Sequence, residues 1–182
     1  RPLGLDAPMR RAVTPDDHVT VVLDEHLPHV ADLLAAVLEH LVSGGVDPAA
    51  VTVLVPPGGT SRWVDDVPDE FADLTVEVHD PEDRKKLAYL ATTKAGRRVY
   101  LNRTLVDADF VVVLSGRRFD PTAGYAGAEA SVFPALSDAE TLAGFVGQFA
   151  TDPPGDKPNA LRVEASQVLW LLGTPFLVQV IE

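Results

Sequence analysis

The sequence predicts an α/β domain: a mostly parallel, Rossmann-like β-sheet with helices on both faces and a β-hairpin excursion. Three observations predict it. Short β-branched apolar runs occur at residues 18–23 (HVTVVL), 51–55 (VTVLV) and 110–114 (FVVVL), the length of strands buried on both faces. Helical apolar spacing follows or precedes these runs, giving the strand–helix alternation of a parallel sheet. Two further apolar stretches flank Lys94-Ala95-Gly96, a turn signal that predicts a hairpin.

Taken in order, residues 18–23 form the first strand. Pro28 opens a helix, where its missing N–H costs little. Val30, Leu33, Leu34, Val37, Leu38 and Leu41 continue it at helical spacing, and Gly44-Gly45 ends it. Residues 51–55 are the second strand, followed by the loop PPGGTSR. Residues 74–78 make a third strand, 86–90 and 99–101 the hairpin, and 110–114 the most apolar strand. Ser137 with Glu140 three residues on has capping-box spacing, which predicts a helix to about Phe149. Residues 151–158 (TDPPGDKP) are a proline-rich loop, 160–172 a helix ended by Gly173, and 176–181 a last strand. In an open sheet of this kind ligands favour the loops after the strands' carboxyl ends. Three such loops are residues 24–28, 56–62 and 115–127.

With 182 residues, 46% of them hydrophobic, the chain is long enough to bury a core as one domain. A formal charge of −12 and a pI near 4.7 argue against nucleic acid and anionic membrane as partners, and suit solubility. The absence of cysteine removes disulfides and thiolate chemistry. The apolar runs fall short of a membrane span and no cleavable signal is legible, so the cytoplasm is the expected compartment.

Residues 79–134 carry the most specific words: HDP, LAYLATTKAG, VYLNR, an aspartate-flanked apolar strand, and AGYAG. This run resembles the N-terminal domain of the nickel-pincer lactate racemases, which interconvert the enantiomers of 2-hydroxy acids. The resemblance implies residues 1–182 as one such α/β domain excised from a two-domain protein, with the active site between the domains and the chain's own C-terminal domain as partner. The start at Arg1 without methionine and the finish on a strand read the same way.

The resemblance also implies catalytic positions, and these are replaced. Counting from Ala123-Gly124-Tyr125, the metal-ligand histidine position holds Asp120, the arginine position Glu129, and the position of the lysine that carries the covalent pincer Ala130. Pro134, Ser137, Glu140 and Thr141 match the next motif, and its metal histidine falls at Val146. In the first loop Asp24 and Pro28 match, but His26 stands for threonine and Leu27 for an arginine suited to bidentate carboxylate recognition. In the second, Gly59 and Thr60 match, and Ser61 stands where the family has its proton-transferring histidine. A serine hydroxyl has no pKa near neutrality and is no general base alone. No pincer cofactor and no family metal are therefore expected.

The residues themselves offer a small-molecule cleft lined by Asp24, His26, Thr60, Ser61, Asp120, Tyr125 and Glu129. Asp24 also reads as a helix cap, and Gly-Gly as a turn. His26 and His29, with Asp24 and Glu25, have a spacing that admits a metal ion, and otherwise read as solvated histidines. The third-loop replacements make that loop more acidic, which disfavours a phosphate-bearing ligand; Asp120 and Glu129 would then attract a hard cation or form a solvated acidic surface. His79 reads as organising the turn after a strand, and Trp63 and Trp170 as packing residues, Trp63 also as a cleft wall. The functional expectation is a racemase-family domain that is catalytically divergent or inactive, with a 2-hydroxyacid racemase completed by a further domain as the alternative. A generic nucleotide binder is disfavoured by the lack of GxGxxG and GxxxxGK[ST], and an interaction module needs a surface that sequence does not display.

Overall fold

The computed structural model describes residues 6–94, 96–120, 124–145, 160–173 and 175–181. Its elements in chain order are α1 (Asp6–Ala12), β1 (Val19–Leu23), α2 (Val30–Ser43), β2 (Val51–Val55), β3 (Thr75–Val78), β4 (Leu87–Thr92), β5 (Arg98–Asn102), α3 (Arg103–Val106), β6 (Phe110–Asp120), β7 (Gly124–Ala126), α4 (Ala128–Val132), α5 (Ala139–Phe145), α6 (Ala160–Leu171) and β8 (Phe176–Ile181). Five strands form one parallel sheet in the order β3-β2-β1-β6-β8. β7 folds back antiparallel on the far end of β6, and β4 and β5 form a separate antiparallel hairpin.

β1 is central and buried along its whole length, with Val21 in register with Val53 and Val112. Strand alternation sends its side chains into two cores. On one face Val21 and Leu23 pack with Leu34, Leu38 and Leu41 of α2 and with Trp63 and Phe71 from one-turn 3-10 helices. On the other, Val22 and Val113 pack with Leu101 of the hairpin, Val132 of α4 and Val168 of α6. Full burial of each such side chain contributes roughly 1.5–3 kcal/mol. Gly44 closes α2 where α1 crosses it: a Cβ there would lie 2.6 Å from Val13 Cγ2.

Four expectations change. α2 begins at Val30 rather than Pro28, because His29 adopts left-handed backbone (φ 53°) immediately before it. β6 runs on to Asp120, so most of the predicted third loop is strand, its polar residues paired with β7 and β8. α5 is capped by Asp138, whose carboxylate accepts from the Thr141 N–H (2.9 Å), while Ser137 is buried and donates its hydroxyl to the Pro134 carbonyl. Trp170 is 70% exposed rather than packed. The predicted continuation of α5 over residues 146–149 and the loop 151–158 lie outside the described residues.

Candidate functional site

A cleft of about 230 Å³ opens over the carboxyl ends of β1 and β2, and β6 runs through its far wall. Asp24, Glu25 and His26 line it from the first loop, Gly58 and Gly59 from the second, Gly116 and Arg118 from β6, and Ala130 and Ser131 from α4. The motif loops thus converge.

Glu25 ties the first two loops together. Its carboxylate accepts the backbone N–H groups of Thr60 (2.7 Å) and Ser61 (3.0 Å) and the indole N–H of Trp63 (3.3 Å). Burial alone would push this carboxyl upward; the three donors and nearby His26 outweigh it and hold the group below its ordinary value. The N–H groups that a glycine-rich loop would turn toward an incoming anion are therefore taken by an internal one. Ser61 sits in left-handed backbone (φ 50°), and its Oγ is buried without a hydrogen-bond partner among the described residues. Trp63 belongs to the core and fixes Glu25 instead of walling the cleft.

Asp24 is neutralised in place. Its side chain is only 12% exposed, pairs with the Arg118 guanidinium, and accepts from the N–H of His26 (3.1 Å) and of Gly116 (3.4 Å). It shapes its own loop rather than capping α2. The His26 ring lies 3.3 Å from the same carboxylate, and His29 turns away toward Asp32 (3.7 Å). The two histidines do not share a face, and no cluster of three or more metal-ligating side chains exists among the described residues. Leu27 is buried in the α2 core and takes no part in the cleft.

The third wall differs most from expectation. Glu129 is not a solvated acid: its side chain is 14% exposed and accepts from Arg162 Nε of α6 at 2.9 Å. Arg162 thus compensates the charge of Glu129. Ala130 does line the cleft, where the resemblance places the anchoring lysine. Asp120 and Tyr125 are placed by backbone only, opposite Gly124 and Phe119 in the β6–β7 ladder, and Val146 lies outside the described residues.

Sequence reasoning misses the roles of two residues of this site. Glu25, expected only as a neighbour of a candidate histidine metal pair, instead ties the first loop to the second. Arg118 enters the cleft only because β6 continues past Leu114.

Strand order and cleft together define a doubly wound α/β domain with a crevice at the strand ends, the place where open sheets of this kind bind ligands. Sequence comparison then gives the family: a profile of the lactate racemase N-terminal domain matches residues 2–152, and the chain belongs to that family. No curated protein matches the chain significantly. Among solved structures it is similar to the lactate racemase apoprotein from Thermoanaerobacterium thermosaccharolyticum, with a TM-score of 0.68 and 17% identity over 90% of this chain and 41% of that one. It is also similar to a Thermotoga maritima protein, with a TM-score of 0.67 and 15% identity over 95% of this chain and 49% of that one. At these identities the likeness carries the fold. The chain spans less than half of either solved protein.

Proposed function

We propose that this is a lactate-racemase-type N-terminal domain that has given up the nickel-pincer chemistry and retains its cleft as a binding site for a small molecule. One observation carries the reading: Ala130, in the cleft wall at the anchor position, has a methyl group where the covalent bond needs an amine. The surroundings agree. Asp24, Glu25 and Glu129 each have internal partners, and Leu27 is core, so the residues present do not fit the group. No step through nickel or the pincer is derived for this chain.

What remains is a small, mostly apolar-walled cleft with one half-exposed cation, Arg118, a histidine ring beside it, and glycine edges that let a ligand approach the backbone. The compartment proposed is the cytoplasm, and the partner proposed is a further domain of the same protein. A second reading, a 2-hydroxyacid racemase completed by that domain, is favoured by one fact: the solved relatives are more than twice as long as the part this chain matches. It requires such a further domain to supply both anchor and ligands.

Interconversion of the lactate enantiomers, followed by chiral chromatography from pure L- and pure D-lactate, separates the two. Protein produced with nickel is expected to leave each enantiomer unchanged; racemisation above a heat-inactivated control would establish the racemase reading instead.

A further inference from the structure

The formal charge of −12 is unevenly spread. Residues 84–106, which hold the β4–β5 hairpin and α3, contain seven of the chain's 15 lysines and arginines and no aspartate or glutamate, so this segment is +7 against −19 for the rest. Three of the seven are used internally. Lys86 pairs with Glu77, Arg97 pairs with Glu164 and lies over the Phe145 ring, and Arg103 donates to the carbonyls of Lys85 and Leu87. Arg84, Lys85, Lys94 and Arg98 are exposed and have no ion-pair partner among the described residues.

Between these cations the hairpin turns two tyrosines outward. Tyr89 and Tyr100 are register partners, packed edge to face with centroids 5.6 Å apart, yet 53% and 37% exposed. Val99 and Leu101, on the opposite side of β5, are fully buried in the second core. The hairpin therefore has its packing partner already, and its aromatic side faces solvent. A groove of about 480 Å³ runs along its base, lined by Glu82, Arg84, Tyr89, Tyr100, Arg103 and Glu140.

We propose that the outer face of this hairpin docks an acidic protein segment: an extended run of carboxylates whose central apolar side chain seats against Tyr89 and Tyr100. Charge complementarity supports this occupant. Screening over about 8 Å at physiological ionic strength makes the four exposed cations Arg84, Lys85, Lys94 and Arg98, with Glu82, Asp138 and Glu140 of the groove wall, rather than the acids elsewhere on the chain, what an approaching segment meets. Tyrosine and arginine are the residue types that concentrate binding energy at protein interfaces. Glu82 and Glu140 in the groove wall oppose a chain of phosphates but accept hydrogen bonds from a polypeptide backbone. The surface is separate from the strand-end cleft and stands whichever reading of the cleft holds.

Fluorescence anisotropy with a short labelled peptide of glutamates around a central phenylalanine tests it on the 182-residue chain. Saturable binding is expected, weakened by salt and by about tenfold or more in the Arg84→Glu/Arg98→Glu double variant. Tyr89→Ala is expected to lower affinity severalfold with every cation still in place. The altered side chains are exposed, so an unchanged thermal melt identifies a surface effect. Absence of saturable binding, or equal binding by the charge-reversed variant, would overturn the proposal. Tighter binding of an oligothymidylate of matched charge would replace it with a nucleic-acid surface. Self-association in sedimentation that the double variant abolishes would assign the face to a second copy.

Discussion

Two polar regions of this molecule sit at different depths and behave differently. Behind the sheet, His79 is buried: its Nε2 donates to the Ser137 carbonyl (2.8 Å), and its Nδ1 accepts from Asn102, whose amide also reaches Glu77. This network belongs to the HDP and VYLNR words and joins β3, β5 and the start of α5. At the cleft, polar groups also partner one another, through Glu25 with the second loop, Asp24 with Arg118, and Glu129 with Arg162. The first set is buried and joins elements of the scaffold; the second lines or borders the cleft at the strand ends. On the proposed reading, the domain keeps the buried polar joints while the cleft's charged groups serve as internal contacts.

The contrast predicts that perturbing the buried joint costs far more than perturbing the cleft. His79→Ala removes one hydrogen bond at each ring nitrogen and leaves the Ser137 carbonyl without that donor, so a loss of about 3 kcal/mol is expected in urea denaturation. A loss no greater than that of a cleft variant would erase the distinction.

The pH dependence sharpens it next. Burial pushes His79 below its ordinary value of 6.5, against the raising influence of the Ser137 bond and of Glu77 and Asp80. The unfolded chain therefore takes up this proton first as pH falls. The stabilisation is complete above about pH 6.5 and is lost as pH drops through the lower folded value. Glu25, also held low, behaves alike in a more acidic window: its contribution is present above about pH 4.5 and is lost as pH falls through its folded value. Denaturation midpoints measured across pH should show the first loss vanish in a His79→Gln background and the second vanish in Glu25→Gln.

In the cleft, Glu25→Gln keeps an acceptor but brings an amide against N–H donors, and about 1 kcal/mol is expected at neutral pH because the site is partly exposed. Arg118→Ala should cost least, under about 1 kcal/mol, since its side chain is 40% exposed and Asp24 keeps its two backbone donors. Melting temperatures in that rank order would support the account.

Much of the fold was legible because its strands are continuous β-branched runs whose period and length admit few alternatives. β6 was read too short because Gly116, Arg117 and Arg118 break the apolar run, and only pairing with β7 and β8 keeps that backbone extended. The cleft was half legible. Asp24, His26, Gly59 and Ala130 stand at motif positions and do line it. Glu25 and Arg118 act across 35 and 94 residues of sequence, separations at which local pattern carries no signal. The basic hairpin was hidden for another reason: a net charge averages over the surface and conceals a segment of opposite sign.

Native mass spectrometry of the protein, purified from nickel-supplemented growth of its own source, tests the central claim most directly. The account predicts the mass of the polypeptide alone, because Ala130 offers no amine for a covalent cofactor. A covalent adduct containing nickel would contradict it and would require an anchor elsewhere in the protein.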